Sequence, residues 1–195
     1  MKFSSILAAL FALVCTAWAS PVIVIDAGHG GHDRGGMPGQ SVPEKAYALD
    51  VAKRLDSVLR RYGFRTVMTR KGDYFVTLQD RCDISNRQSN AVFVSVHFNG
   101  APNADATGIE TYYYSGRDSA ALADRIFRKL VASTGTPGRW VRQRALYVLR
   151  HSRFPAVLCE LGFLTNRGEA RHIGTSAYRQ RLAEAIASAI IARYR

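Results

Sequence analysis

Val22-Ile23-Val24-Ile25-Asp26-Ala27, running straight into Gly28-His29-Gly30-Gly31, is the stretch that decides the fold. An apolar run without polar alternation suits a strand covered on both faces, as in a parallel α/β sheet. Two later runs repeat the arrangement. Val92-Phe93-Val94-Ser95-Val96 leads into His97-Phe98-Asn99, and Pro155-Ala156-Val157-Leu158-Cys159 leads into Glu160-Leu161-Gly162-Phe163. Each stops at a residue able to ligate a metal or take a proton. Ligands gather at the carboxyl ends of parallel strands, so these distant residues are expected to meet in one cleft.

Further strand-like runs lie at 64–69 and 109–114, with a weaker one near 145–149. Between them fall helical patterns. Tyr47, Val51, Leu55, Val58, Leu59 and Tyr62 give a helix over about 45–62 that stops at Gly63. Thr77 with Asp80 forms a capping arrangement that opens a helix to about 89. Leu122, Ile126 and Leu130 mark a third, over 118–133, ended by Gly135-Thr136-Pro137-Gly138; Tyr178, Leu182, Ile186 and Ile190 mark a C-terminal one. This alternation predicts a single α/β domain with a mostly parallel, roughly six-stranded central sheet flanked by helices. The segment 109–114 is polar enough to be an edge strand and a candidate for antiparallel pairing.

The first 19 of the 195 residues resemble an address. Lys2 supplies a positive start, Ile6 to Val14 is unbroken and apolar, and Ala17-Trp18-Ala19 fits a secretory cleavage site. The apolar stretch is short for a bilayer span, so no stable membrane anchor is expected. The expected division is a signal peptide over 1–19 and one catalytic domain over 20–195, located outside the cytoplasm. Cys82 and Cys159 are too few for a disulfide scaffold and match no zinc-thiolate spacing. Cys159 reads as an inert buried thiol, and a Cys82–Cys159 disulfide stays open. Without Lys2 the chain carries 26 basic and 15 acidic residues, a net +11. Such charge favours polyanions. For an exported chain these are acidic wall polymers rather than nucleic acid, and the scattered basic residues give no specific footprint.

Six glycines between Gly28 and Gly39 invite a phosphate-loop reading, which the spacing refuses: Asp33 stands where a dinucleotide fingerprint needs Gly, and Met37 where a P-loop needs Lys. The loop instead turns sharply after a strand and leaves room for His29 and a substrate. Zinc hydrolases offer three N/O ligands and keep a fourth position open. His29 and His97 are natural ligands at strand ends. Glu44, opening a helix after Pro43, is the third candidate, and that leaves Glu160 as general base. His32, His151 and His172 read as surface positions. Arg70 and Arg81 are open between substrate carboxylates and structural salt bridges, and Asn99 is a candidate for orienting substrate.

Ile25-Asp26-Ala27-Gly28-His29-Gly30-Gly31 with Asp33 and Gly35, Glu44-Lys45, Thr69-Arg70, Leu78, Arg81, Asn86, Ser95-Val96-His97-Phe98-Asn99, Gly108-Ile109-Glu110 and Pro155 through Asn166 together resemble the zinc-dependent N-acetylmuramoyl-L-alanine amidases, specifically their amidase 3 catalytic domain. The likeness covers essentially the whole chain after the leader. It implies one Zn2+ per chain on His29, Glu44 and His97, Glu160 as the catalytic carboxylate, and peptidoglycan as substrate, cut between N-acetylmuramic acid and the L-Ala of the stem peptide. Phe98 stands where relatives commonly carry a small residue. Some relatives insert a helix that plugs the site until an activator removes it. Only about 40 residues separate Tyr114 from Pro155 here, so neither plug nor obligatory activator is expected, and the chain is expected to act as a monomer. A peptide-cleaving carboxypeptidase and a catalytically dead wall-binding module are the alternatives; intact candidate ligands oppose the latter.

Overall fold

The computed structural model describes residues 20–37, 40 and 42–195, so the expected leader lies outside the described residues. Strand β1 is Val22–Ala27, β2 Thr66–Met68, β3 Ala91–Asn99, β4 Ile109–Tyr113, β5 Gly138–Gln143 and β6 Ala156–Phe163. They form one six-stranded sheet in the order β2-β1-β3-β6-β4-β5. The first four in that order are mutually parallel; β4 runs antiparallel to β6, and β5 parallel to β4. The apolar runs fall where the sheet is covered on both sides: all six β1 residues are buried.

Helices α1 (Glu44–Arg61), α3 (Arg117–Thr134) and α6 (Ser176–Tyr194) cover one face, where Leu55, Leu59, Leu122, Ile126, Leu182 and Ile186 pack on Ile23, Ile25, Val94 and Val157. The opposite face is covered by α2 (Leu78–Asn86) and the single turn α4 (Tyr147–Arg150), which place Cys82, Val148 and Leu149 against Val24, Phe93 and Leu158. Thr77 caps α2 by accepting from the Asp80 amide at 3.0 Å. Gly135 ends α3 in the left-handed conformation at φ 70°. A short helix, α5 (Arg167–Ile173), capped by Asn166, links β6 to α6.

Two expectations are corrected and one open question is closed. The weak run near 145–149 is not a strand: Val148 and Leu149 are buried as one helical turn laid on the sheet, and the sixth strand is Gly138–Gln143. The 109–114 segment pairs antiparallel as anticipated, yet it is interior; β5 is the edge. A Cys82–Cys159 disulfide is excluded, because the two free thiols pack in separate clusters on opposite faces of the sheet. Burial pushes the Cys82 thiol up to about 11 and that of Cys159 higher still, so both stay protonated and inert.

Candidate metal centre

The carboxyl ends of β1, β3 and β6 deliver their side chains to a common cleft of about 640 Å³. His29, two residues past β1, sits at φ 60°, unusual for a side-chain-bearing residue. Glu44 opens α1 and is almost fully buried, 3% exposed. Its Oε2 lies 3.1 Å from His29 Nε2 and its Oε1 2.9 Å from His97 Nδ1; the Phe98 amide also donates to Oε1 at 3.0 Å. Asp33 Oδ2 holds the other ring nitrogen of His29, Nδ1, at 2.8 Å, so that Nε2 faces the centre. One donor atom from each of His29, Glu44 and His97 lies within 4.8 Å of the others. A tetrahedral zinc with bonds of about 2.0–2.1 Å sets its ligand atoms about 3.4 Å apart, so the donor set fits with only a small adjustment.

Two buried arginines fix this geometry. Arg70, fully enclosed, donates to the carbonyls of Ala27, Gly28, Gly72 and Lys45. It thus ties the end of β1 to the first turn of α1, the two segments that carry His29 and Glu44. Arg81 donates to Asp26 Oδ1, to the Ala27 and His29 carbonyls and to the Val76 carbonyl. Arg81 is only 3% exposed and its guanidinium is committed inward, on the structural side of the two readings left open, while the residue also lines the cleft. Arg70 is likewise committed inward. Asp26 completes this base by accepting from Thr69 and Ser95 as well. Burial opposes its charge, but Arg81 and the two hydroxyls outweigh it and hold the carboxyl below the ordinary range.

The glycines serve close approach. A Cβ on Gly28 would stand 2.3 Å from the His97 ring, and one on Gly35 2.4 Å from the His29 ring. Room is therefore left for both histidines.

Glu160 lies in register with His97 on one side and Glu110 on the other. A bulge follows directly, between His97 and Asn99 on β3 and the facing stretch of β6, a device that re-aims side chains beside active sites. Glu160 Oε2 is buried with no hydrogen-bond partner. Burial pushes the carboxyl up; His97 pulls the other way, Glu44 and Glu110 reinforce the rise, and the group stands at about 7. Glu44 behaves oppositely: burial would raise it, but the two imidazoles bring it to about 2. Burial opposes a charged His97, and Glu44 overcomes this to lift it to about 9.

Asn99 is engaged: it donates to Glu110 Oε2 at 2.9 Å and accepts from the Gly100 amide. Sequence reasoning assigned no role to Asp33 or Glu110. The signal for Asp33 was its spacing, four residues beyond a histidine in a glycine-rich turn. His32, His151 and His172 are exposed and take no part in the donor set.

Fold and site together define a class: an α/β domain in which two histidines and a glutamate that could hold a metal converge beside a carboxylate with one buried, unpartnered oxygen, an arrangement suited to hydrolysis. The N-acetylmuramoyl-L-alanine amidase profile of the amidase 3 type matches residues 23–192, and the chain belongs to that family. It is 36% identical over 176 residues to the N-acetylmuramoyl-L-alanine amidase LytC of Bacillus subtilis, covering 89% of this chain and 35% of LytC. Against the amidase AmiA of Escherichia coli it is 29% identical over 219 aligned positions, covering 89% of this chain and 76% of AmiA. Among solved structures it resembles the amidase AmiC2 of Nostoc punctiforme at TM-score 0.84 and 35% identity, covering 89% and 96% of the two chains. The CwlD amidase of Clostridioides difficile, solved in complex with the GerS lipoprotein, matches at TM-score 0.84 and 28% identity, over 90% and 98%.

Proposed function

We propose that this chain is an exported, zinc-dependent peptidoglycan hydrolase that cleaves the amide between N-acetylmuramic acid and the L-Ala of the stem peptide. The observation that carries the reading is Glu160: a buried carboxylate oxygen without a partner, in register with one of the three candidate ligands. A group left unsatisfied in a folded interior is costly, and its retention beside a ligand set is explained by a proton it must accept.

His29, Glu44 and His97 would hold the zinc, which supplies Lewis-acid polarisation of the scissile carbonyl and of water. Asp33 keeps His29 in the tautomer that offers Nε2 to the centre. Glu160, near neutrality, takes one proton from the attacking water as oxygen adds to the carbonyl carbon. It then returns that proton to the nitrogen of L-Ala as the C–N bond breaks, leaving a muramic acid carboxylate and a free amine on the stem peptide. The cleft stays open to its polymer substrate because α3, β5 and α4 occupy the stretch between β4 and β6, and among the described residues no further helix lies there. The 219 aligned positions exceed this chain's 195 residues, so AmiA carries segments that have no counterpart here. This supports an enzyme without an obligatory activator, and we take it to act as a monomer. Residues 1–19 would carry it out of the cytoplasm to its substrate.

Incubation of the purified protein with muropeptides that retain N-acetylmuramic acid, beside free stem peptides, tests the assignment. Release of peptides beginning at L-Ala from the former alone is the expected outcome. Trimming of free stem peptides would assign a carboxypeptidase instead.

A further inference from the structure

The sheet face that bears Glu160 continues past the cleft. Side chains two apart on a strand share a face. Glu160 and Leu158 on β6 therefore join Glu110 and Tyr112 on β4, and Trp140 and Arg142 on β5, in two lateral rows, Glu160–Glu110–Trp140 and Leu158–Tyr112–Arg142. Helices α2 and α4 pack on this face over β1, β3 and β6, while the helix packed on β4 and β5 is α3, which belongs to the opposite face. The outer part of the face carries three arginines. Arg139 is spent on Glu110 Oε1 at 2.6 Å and the Thr107 carbonyl. Arg142 and Arg144 are exposed and, among the described residues, their guanidinium groups enter no hydrogen bond or ion pair. They are nonetheless held in place: the Arg142 guanidinium lies 3.8 Å from the Trp140 ring centre and that of Arg144 5.4 Å from the Tyr112 ring. Stacking on an aromatic face restrains a guanidinium while its N–H fork stays free.

We propose that Arg142 and Arg144 form a carboxylate-binding subsite for the peptide arm of the substrate. The proposal rests on the amidase reading. Adjacent strands lie about 4.8 Å apart, so the β5 row is roughly 10 Å across the sheet from β6. Arg142 lies one row and Arg144 two rows along the strands from the Glu160 row. An extended peptide covers about 3.3–3.6 Å per residue, which brings the third to fifth residue after the cut amide over these arginines. A carboxylate is favoured over a sugar ring because the indole that would stack on a sugar is already covered by guanidinium groups, Arg139 at 4.3 Å and Arg142 at 3.8 Å.

The test compares Arg142→Gln, Arg144→Gln and the double variant on muropeptides whose peptide carboxylates are free or amidated. For the double variant, KM on the free-carboxylate form should rise about tenfold with kcat held, the loss being confined to that form. An equal loss on both forms, or no loss, overturns the subsite. A second readout is independent of turnover. In a Trp18→Phe background Trp140 is the only tryptophan, and its emission should respond to a synthetic acidic tetrapeptide beginning with L-Ala but not to the amidated peptide. A response to a muramyl disaccharide alone, with none to the peptide, would assign the face to glycan and overturn the proposal. A wild type that cleaves neither muropeptide would sink the amidase reading, while the emission titration would still decide the subsite.

Discussion

Asp26 is a buried carboxylate and Glu160 a partly buried one with a buried oxygen, and their surroundings give them opposite tasks. Asp26 is saturated by Arg81, Thr69 and Ser95, whereas Glu160 keeps one oxygen without a partner. Glu160→Gln preserves shape and removes the proton acceptor, so kcat should fall about a thousand-fold with the thermal unfolding midpoint nearly unchanged. Residual turnover within a few-fold of wild type would remove Glu160 from the chemistry. Asp26→Asn should do the reverse, destabilising the fold by about 3 kcal/mol by leaving Arg81 unpaired. Because the folded Asp26 carboxyl lies below its unfolded value, its contribution is full above the ordinary carboxylate range and lost as pH falls through the folded pKa. Denaturant titrations should therefore find the wild-type advantage over Asp26→Asn large at pH 7 and shrinking as pH falls below the ordinary carboxylate range. An advantage independent of pH would contradict the assignment.

At the scale of elements, the site is three strand ends and one helix start held in fixed relation by Arg70 and by glycines that admit the histidine rings. Gly28→Ala should leave the sheet folded but displace His97, weakening zinc affinity at least tenfold in a competition titration with a chromogenic chelator. Unchanged affinity would show that the ring can shift without cost. This scale also separates what the sequence discloses from what it hides. β1, β3 and β6 are legible because strands covered on both faces must be apolar throughout, and the ligands follow from where those runs stop. β5 is illegible: an edge strand reading Gly-Arg-Trp-Val-Arg-Gln is polar by necessity. The adjacent Val148 and Leu149 look strand-like because burial under a helical turn demands the same residues as burial in a sheet. α5 has one buried residue, Ile173, and so no periodicity to detect. The burial of Arg70 and Arg81 is not legible, because the partners that satisfy them are backbone carbonyls and, for Arg81, an Asp26 that lies 55 residues away in sequence.

For the whole molecule, the ligand set joins β1, α1 and β3, so a bound metal would cross-link the centre of the fold. Chelation should lower the unfolding midpoint by about 5–10 °C, reversed by added zinc; an unmoved midpoint would argue against a resident metal. The net charge of +11 on the chain without its first 19 residues favours anionic wall material. Pelleting with peptidoglycan should weaken as salt rises from about 50 to 500 mM, and salt-independent pelleting would place the affinity in the cleft alone. The central claim is that this fold assembles a zinc site and a proton-accepting Glu160 to cut the bond between glycan and peptide. Its most direct test is digestion of purified peptidoglycan by wild type, Glu160→Gln and chelated protein, with products identified by mass spectrometry. The account predicts free stem peptides beginning at L-Ala and peptide-free glycan strands from wild type alone. Cleavage elsewhere in the polymer, or undiminished release by the Glu160→Gln variant, would contradict it.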